Sequence, residues 1–291
     1  MDKYYKIGGH LFKVTGERLA TSVSSNPGFL PFEVNAEDNV DFEFEEWQGD
    51  ESEIPVMRKS LYRYSFENVV SNFGLTDNGY LHEQIISDNE TTRMWSHTGE
   101  NKIYIHGNLE TYLVNYAVGM GYELMTVSKD TVLVHSSCMV CNGKVIMFLG
   151  KSGTGKSTHS RLWRENISGC YTLNDDCPIV RIENGEVWVY GNPWSGKEPC
   201  YHQERHPLAG FVRLSQAPYN KITKLTRPLQ LYAALHPSFF SPFANDNDLY
   251  DYISSMIKRI ISAVPVYLLE CLPDKEAALL SYRTFFSEET K

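Results

Sequence analysis

Residues Gly150-Lys151-Ser152-Gly153-Thr154-Gly155-Lys156-Ser157 spell G-x-x-x-x-G-K-[ST], and no other stretch restricts the fold as much. Such an octet cradles phosphate only when a strand runs into it and a helix leaves it. Val145-Ile146-Met147-Phe148-Leu149 is a continuous apolar run directly before it and reads as a buried strand. Thr158-His159-Ser160-Arg161-Leu162-Trp163-Arg164 follows without Gly or Pro and reads as a helix start. The glycines let the backbone turn successive N–H groups inward on phosphate oxygens, and the helix N-terminus adds partial positive charge there. Lys156 reaches the outer phosphates and Ser157 offers a hydroxyl to Mg²⁺. Thr158, next in line, completes the candidate nucleotide-binding set of Gly150 through Thr158. A glycine-rich turn before an ordinary helix is the bland alternative, and the strand and helix on either side count against it.

A chain of 291 residues can bury a substantial core and hold one large domain or two. Hydrophobic content of 42% beside 22% charged residues is ordinary for a soluble globular protein. The formal net charge of -9 argues against a nucleic-acid partner held by a basic surface. No apolar run of signal-peptide length follows Met1-Asp2-Lys3-Tyr4-Tyr5-Lys6, and no stretch approaches the roughly 18 apolar residues of a membrane span, so no membrane partner and a cytoplasmic location are expected. The six cysteines are then expected to stay reduced. Cys138-Met139-Val140-Cys141 matches C-x-x-C, but odd spacing along a strand sends the two thiols to opposite faces, and they read as structural.

Residues 1–128 read as a β-rich lobe closed by a helix. Lys6 to Val14 suggests a strand pair around Gly8-Gly9, and Asn39 to Glu45, Leu61 to Phe66 and Lys102 to His106 alternate as half-exposed strands. Turn signals stand at Asp77-Asn78-Gly79 and Ser87-Asp88-Asn89. Leu109 to Met120 reads as a helix with Leu109, Tyr112, Leu113 and Tyr116 on one face. The many tyrosines read as sheet packing rather than as a substrate surface. His10, His82, His97 and His106 lack ligand spacing.

Residues 129–291 form the second region. Thr131 to Val140 is expected as one strand, turning at Asn142-Gly143 and returning into the glycine loop; this would carry His135 into the sheet that presents the loop. Asn174-Asp175-Asp176 closes the next strand, about twenty residues past the loop, where adjacent carboxylates suit Mg²⁺ coordination and proton acceptance. Gly191 to Lys197 reads as a loop over a ligand, with Lys197 either on phosphate or in solvent. Gly210 to Leu214 reads as a strand, Leu229 to Leu235 as a helix stopped by Pro237, and Asp248 to Ala263 as an amphipathic helix. Ser238 to Phe243 is an aromatic loop, either a core plug or a contact with a second subunit. Val264 to Leu269 reads as a last strand, and Asp274 as the cap of a final helix.

Taken in order, these residues resemble the HPr serine kinase/phosphorylase family and its small relatives, whose P-loop core is shared with ATP-dependent phosphoenolpyruvate carboxykinase. The resemblance covers about residues 130–285 and rests on His135, Gly150 to Ser157, Asn174-Asp175-Asp176, Gly191 to Lys197 and Val264 to Asp274. It implies an α+β or α/β fold: a β-rich N-terminal lobe beside a P-loop kinase core with a mixed sheet and flanking helices. It further implies ATP and Mg²⁺ as cofactors, Lys156 on the phosphates, and His135 beside the transferred phosphoryl group. Of the two acids, Asp176 would be the base and Asp175 the metal partner, or the reverse, with Ser157, Asp175 and Glu204 around the ion. The implied activity is phosphoryl transfer to a hydroxyl, on a serine of a small protein or peptide or on a small molecule, by an enzyme that assembles into homo-oligomers. The chain departs from the HPr kinase signature: Glu204 and Arg205 are adjacent, and His206-Pro207-Leu208 stands where the glycines belong. A non-catalytic ATP-binding regulator and a carboxykinase-like enzyme are the alternative readings.

Overall fold

Alternating apolar and polar residues build a mixed α/β protein with two large sheets and flanking helices, seen here in a computed structural model that describes residues 2–87, 90–196, 199–239 and 242–286. Two compact units divide the chain: Met1–Lys129 with Ser241–Tyr250, and Asp130–Phe240 with Asp251–Lys291. The expected division at residue 128 contained no sign that 241–250 returns to the first unit. No helix among the described residues is long and apolar enough to cross a membrane.

In the first unit, β1 (Lys3–Ile7) and β2 (His10–Thr15) form the hairpin about Gly8-Gly9, with Ile7 opposite His10. There follow α1 (Glu17–Ser24), β3 (Glu33–Val34), β4 (Phe42–Glu46), β5 (Lys59–Phe66), β6 (Val69–Leu75), β7 (Gly79–Ser87), β8 (Glu90–His97), β9 (Lys102–Gly107) and α2 (Thr111–Thr126). The strands lie side by side in the order β3-β1-β2-β4-β9-β8-β7-β6-β5. Alternation along β4 buries Phe42 and Phe44 while Glu43 and Glu45 stay outside. Tyr122 of α2 packs edge-on against Phe42 and Phe12, with ring centroids 6.0 and 6.3 Å away. The buried stripe of α2 is Leu113, Val114, Ala117, Val118 and Gly121; Tyr112, expected on that face, is exposed. Residues 88 and 89 of one expected turn lie outside the described residues.

The second unit contains β10 (Thr131–Leu133), β11 (Ser136–Cys141), β12 (Lys144–Leu149), α3 (Lys156–Asn166), β13 (Tyr171–Asp176), β14 (Ile179–Glu183), β15 (Glu186–Tyr190), β16 (Arg205–Gln216), β17 (Lys221–Lys224), α4 (Pro228–Leu235), β18 (Val266–Cys271) and α6 (Lys275–Phe286). Helix α5 (Asn247–Ala263) begins in the first unit and carries the chain back to the second. The sheet path is β10-β14-β15-β16-β12-β11-β13, and β18 pairs with both β16 and β17. Asn142 and Gly143 make the expected two-residue turn between β11 and β12, at φ 50° and 72°.

Two expectations change here, and one stated alternative is selected. The run from Thr131 to Val140 is not one strand: β10 pairs with β14, β11 pairs with β12 and β13, and Val134 and His135 occupy the break. The thiols are not all reduced, because Cys141 is bonded to Cys170, which precedes β13 directly across from the end of β11. Phe239 is buried with its ring 6.2 Å from that of Phe211, so at this residue the aromatic loop is a core plug; Phe240 lies outside the described residues.

One face of the second sheet packs Met139, Ile146, Phe148, Val212 and Leu214 against Trp163 of α3 and Ala278 of α6. Asp274 caps α6 as expected, its Oδ1 accepting the Ala277 N–H at 2.9 Å.

Each unit also buries a neutral histidine. His82 Nε2 meets Ser71 Oγ at 2.7 Å, and burial pushes its pKa down to about 3. His159 Nε2 meets Ser281 Oγ at 2.9 Å, and burial pushes its pKa down to about 4. Both values lie below the ordinary 6.5, so the unfolded chain binds more protons than the native one at mildly acid pH. Their contribution is fully present above pH 6.5 and is lost as pH falls toward the folded values, by at most about 1.4 kcal/mol per pH unit for each histidine. The thermal midpoint should therefore drop between pH 6.5 and 4, and H82Q should remove about half of this histidine-dependent slope; an unchanged slope in H82Q would refute the assignment.

Candidate functional site

The glycine loop begins where β12 ends. Thr154 donates twice to Lys151 O, from its backbone N–H at 3.1 Å and from Oγ1 at 2.7 Å, which closes the loop into a tight turn. Gly155 then enters α3 at φ 106°, a conformation that strains any residue with a Cβ. Lys151, Ser152, Gly153 and Ser157 are exposed, while Lys156 folds back over the loop. Its Nζ donates to Gly150 O at 2.9 Å and to His135 Nε2 at 3.0 Å. Burial lowers the Lys156 pKa; the charges of Asp176 and Asp175 oppose this, and Arg213 adds to the lowering.

His135 is held by the break between β10 and β11. Its backbone N–H donates to Ser238 O at 2.8 Å, so neither strand ladder claims it. With Lys156 at its Nε2, the ring turns Nδ1 toward Asp176 Oδ1 at 3.4 Å. The side chains of His135 and Asp176 are 42% and 46% exposed, so this end of the arrangement is open to solvent. Cys177 joins them: one ligand-type atom from each of His135, Asp176 and Cys177 falls within 4.8 Å of the others.

Strand register explains how the two acids divide. Ser137 lies opposite Asp175 in the β11–β13 ladder, and Ser137 Oγ is 2.5 Å from Ser160 Oγ of α3. Directly opposed residues share a face, so Asp175 is on the α3 side, and Asp176, one residue on, is on the other. One row crosses four strands: Arg213 opposite Leu149, Leu149 opposite Ser136, and Ser136 opposite Asp176.

Asn174, fully buried, fastens the loop after β15 to this edge. Its Oδ1 accepts the N–H groups of Asp176 and Cys177 at 3.1 and 3.0 Å. Its Nδ2 donates to Trp194 O at 3.0 Å and lies 3.3 Å from Asn192 Oδ1. Asn192 completes the clasp by donating to Cys177 O at 2.7 Å. The Gly196 N–H donates to Asp175 O at 3.2 Å, and a Cβ at that glycine would stand only 2.4 Å from the same oxygen. Lys197, read from sequence as facing phosphate or solvent, lies outside the described residues.

The fold thus brings His135, Lys156, Asp175 and Asp176 to the glycine loop. It does not bring Glu204. That carboxylate accepts from the Tyr171 hydroxyl at 3.0 Å, lies 3.1 Å from His206 Nε2, and holds its other oxygen 3.6 Å from His202 Nδ1. Tyr171 and Asp176 are the two ends of β13, roughly 16 Å apart at about 3.3 Å per residue. Burial, then Glu204, pushes the Tyr171 pKa up to about 12, as befits a hydroxyl that serves as donor.

In the sequence Arg213 reads only as part of a strand. The signal was present in the sequence: a lone cation inside the apolar run Gly210-Phe211-Val212-Arg213-Leu214. Beside the loop, a cavity of about 580 Å³ is lined by Gly153, Thr158, Leu162, Leu214, Gln216 and Leu272. A second, of about 620 Å³, includes Lys151, Ser152, Arg213 and Gln216. Both are of small-ligand size.

No model of a known protein family matches the chain, and no curated protein is detectably similar to it in sequence.

Asn174→Ala would leave two N–H groups and two acceptors of the clasp without their amide. Loss of about 1–3 kcal/mol is expected in urea unfolding, together with faster proteolytic cleavage in the 191–196 loop. A variant as stable and as resistant as the native chain would show that the clasp does not hold the loop.

Proposed function

We propose that this chain is a Mg²⁺- and ATP-dependent kinase that transfers a phosphoryl group to a hydroxyl. One observation carries the reading: Lys156 of a G-x-x-x-x-G-K-S loop hydrogen-bonds His135, which in turn faces Asp176. A phosphate-holding cation, an imidazole and an open carboxylate are thereby linked in one chain of contacts at the edge where the loop begins.

Each residue has a task in that reaction. The loop amides and Lys156 hold the phosphates and neutralise their charge. Asp176 accepts the proton of the acceptor hydroxyl, and the oxygen attacks the γ-phosphorus. The bond to the bridging oxygen breaks, and ADP leaves with the electron pair. His135 positions Asp176 through Nδ1 and Lys156 through Nε2. Ser157 in the first turn of α3 and Asp175 on the α3 face are hard oxygen donors of the kind that fits a magnesium ion. Bound there, the ion would offset negative charge on the phosphates. The cavity between the loop and Leu214, Gln216 and Leu272 suits the nucleoside.

The half-exposure of Asp176 favours an acceptor that brings its own surface, a serine on a protein or peptide, over a small enclosed metabolite. ATP as the donor places the work in the cytoplasm, where a stable Cys141–Cys170 disulfide would be unusual.

The test combines calorimetry with MgATP and transfer of γ-phosphate to hydroxyl-bearing peptides. The native chain should bind and transfer. Lys156→Ala should abolish transfer with its circular dichroism unchanged. Asp176→Asn should still bind MgATP but lose at least about 10²-fold in turnover. Transfer that survives Lys156→Ala, or a native chain that does not bind MgATP, would overturn the proposal.

A further inference from the structure

Arg213 is a cation placed where the fold of the sheet does not need one. It lies on β16 in the row that continues through Leu149 and Ser136 to Asp176. Three strand spacings of about 4.8 Å separate the two ends of that row, roughly 14 Å between backbones. Leu149, the neighbour of Arg213, is the last residue before the glycine loop. A phosphate cradle thus rises between an acid at one end of the row and a cation at the other.

The surroundings of Arg213 leave its charge underused. Among the described residues no carboxylate meets it. Its Nη1 lies 3.4 Å from Ala234 O and 3.5 Å from Ser238 Oγ, both long for hydrogen bonds. A half-buried guanidinium held by two weak neutral acceptors is costly unless an anion completes its shell. Burial alone lowers its pKa, and its field reaches Lys156. The cavity beside it is lined by Lys151, Ser152 and Gly153, so the open space that Arg213 faces belongs to the loop.

We propose that Arg213 is a further catalytic cation of this site, binding the oxygens at the β–γ junction of the bound triphosphate. This rests on the kinase reading above. Arg213 lines the cavity of about 620 Å³ together with Lys151 and Ser152 of the loop, three strand spacings from Asp176, so the cradle lies between this cation and the proposed base. As the bond from γ-phosphorus to the bridging oxygen breaks, the electron pair stays on that oxygen of ADP. Arg213 stabilises the charge that grows there and transfers no proton, because guanidinium does not titrate in this range. It is thus an arginine supplied in cis from a strand.

Calorimetry tests this without an identified acceptor. MgADP is titrated into the native chain, R213Q and R213K, with and without aluminium fluoride, which with MgADP mimics the phosphoryl group in transfer. The native chain should tighten on MgADP by at least about 100-fold when fluoride is added. R213Q should keep its MgADP Kd within about threefold and lose the tightening; R213K, with a charge but no fork, should recover only part of it. If a transferring acceptor is at hand, kcat for R213Q should fall by about 10²–10³-fold, with a smaller rise in KM for ATP.

R213Q that tightens as the native chain does overturns the inference while leaving the kinase reading intact. A purely structural Arg213 would lower the thermal midpoint of R213Q and leave the fluoride effect in place, which also overturns it. Should R213Q fail to fold, the decision passes to R213K, and full tightening in that variant overturns the inference. A native chain that binds no MgADP, or shows no fluoride effect, removes the kinase reading and this inference together.

Discussion

The pairing register of β12, β11 and β13 is the constraint on which the site depends. Leu149 faces Ser136, and Ser136 faces Asp176, so the strand that launches the glycine loop and the strand that ends in two acids finish at the same edge. A slip of one residue would exchange the faces of Asp175 and Asp176. The acid beside α3 would then turn toward His135, and the other would turn toward the helix. The alternation that gives adjacent carboxylates different surroundings is therefore also what lets two like charges be neighbours in sequence without sharing one small volume.

Charge is arranged unevenly around that edge. Lys156 and Arg213 are half-buried cations whose pKa values burial lowers, and the charge of Arg213 adds to the lowering at Lys156. Asp176 and Asp175 counter this for Lys156, and no acid does so for Arg213 among the described residues. Two desolvated cations beside the glycine loop make a field that a multiply charged anion relieves. In the kinase reading, the triphosphate supplies that relief, and His135 is the hinge between the cations and the base. Its position in a strand break matters: the Ser238 carbonyl, not a ladder partner, holds its backbone, so the imidazole can turn to both neighbours.

Much of this was legible in the order of residue types. The octet with an apolar run before it, the Asn142-Gly143 turn and the Asn174-Asp175-Asp176 strand end each carry a local reason for their conformation. Local reasons fail where partners are distant. The resemblance implied Glu204 as a metal ligand, yet Tyr171 and His206 claim it at the other end of β13. Cys141 and Cys170 meet because β11 and β13 are neighbours, which a separation of 29 residues does not announce. Of the two readings given for the aromatic loop, burial of Phe239 beside Phe211 selects the core plug, because that partner strand is distant in sequence.

Periodicity, glycine placement and turn chemistry were enough to specify a strand–loop–helix of the kind that suits phosphate and to set Lys156, Asp175 and Asp176 beside it, while the place of His135 was implied by the resemblance. These are short-range properties, set by backbone sterics and side-chain alternation within a few residues. Which acid faces the helix, which cation ends the row of the other acid, and that Glu204 is excluded were decided only when strands far apart in the chain paired in one register. Register is a property of the whole sheet, because hydrogen-bond ladders and buried faces must be satisfied together, and no single segment contains that information.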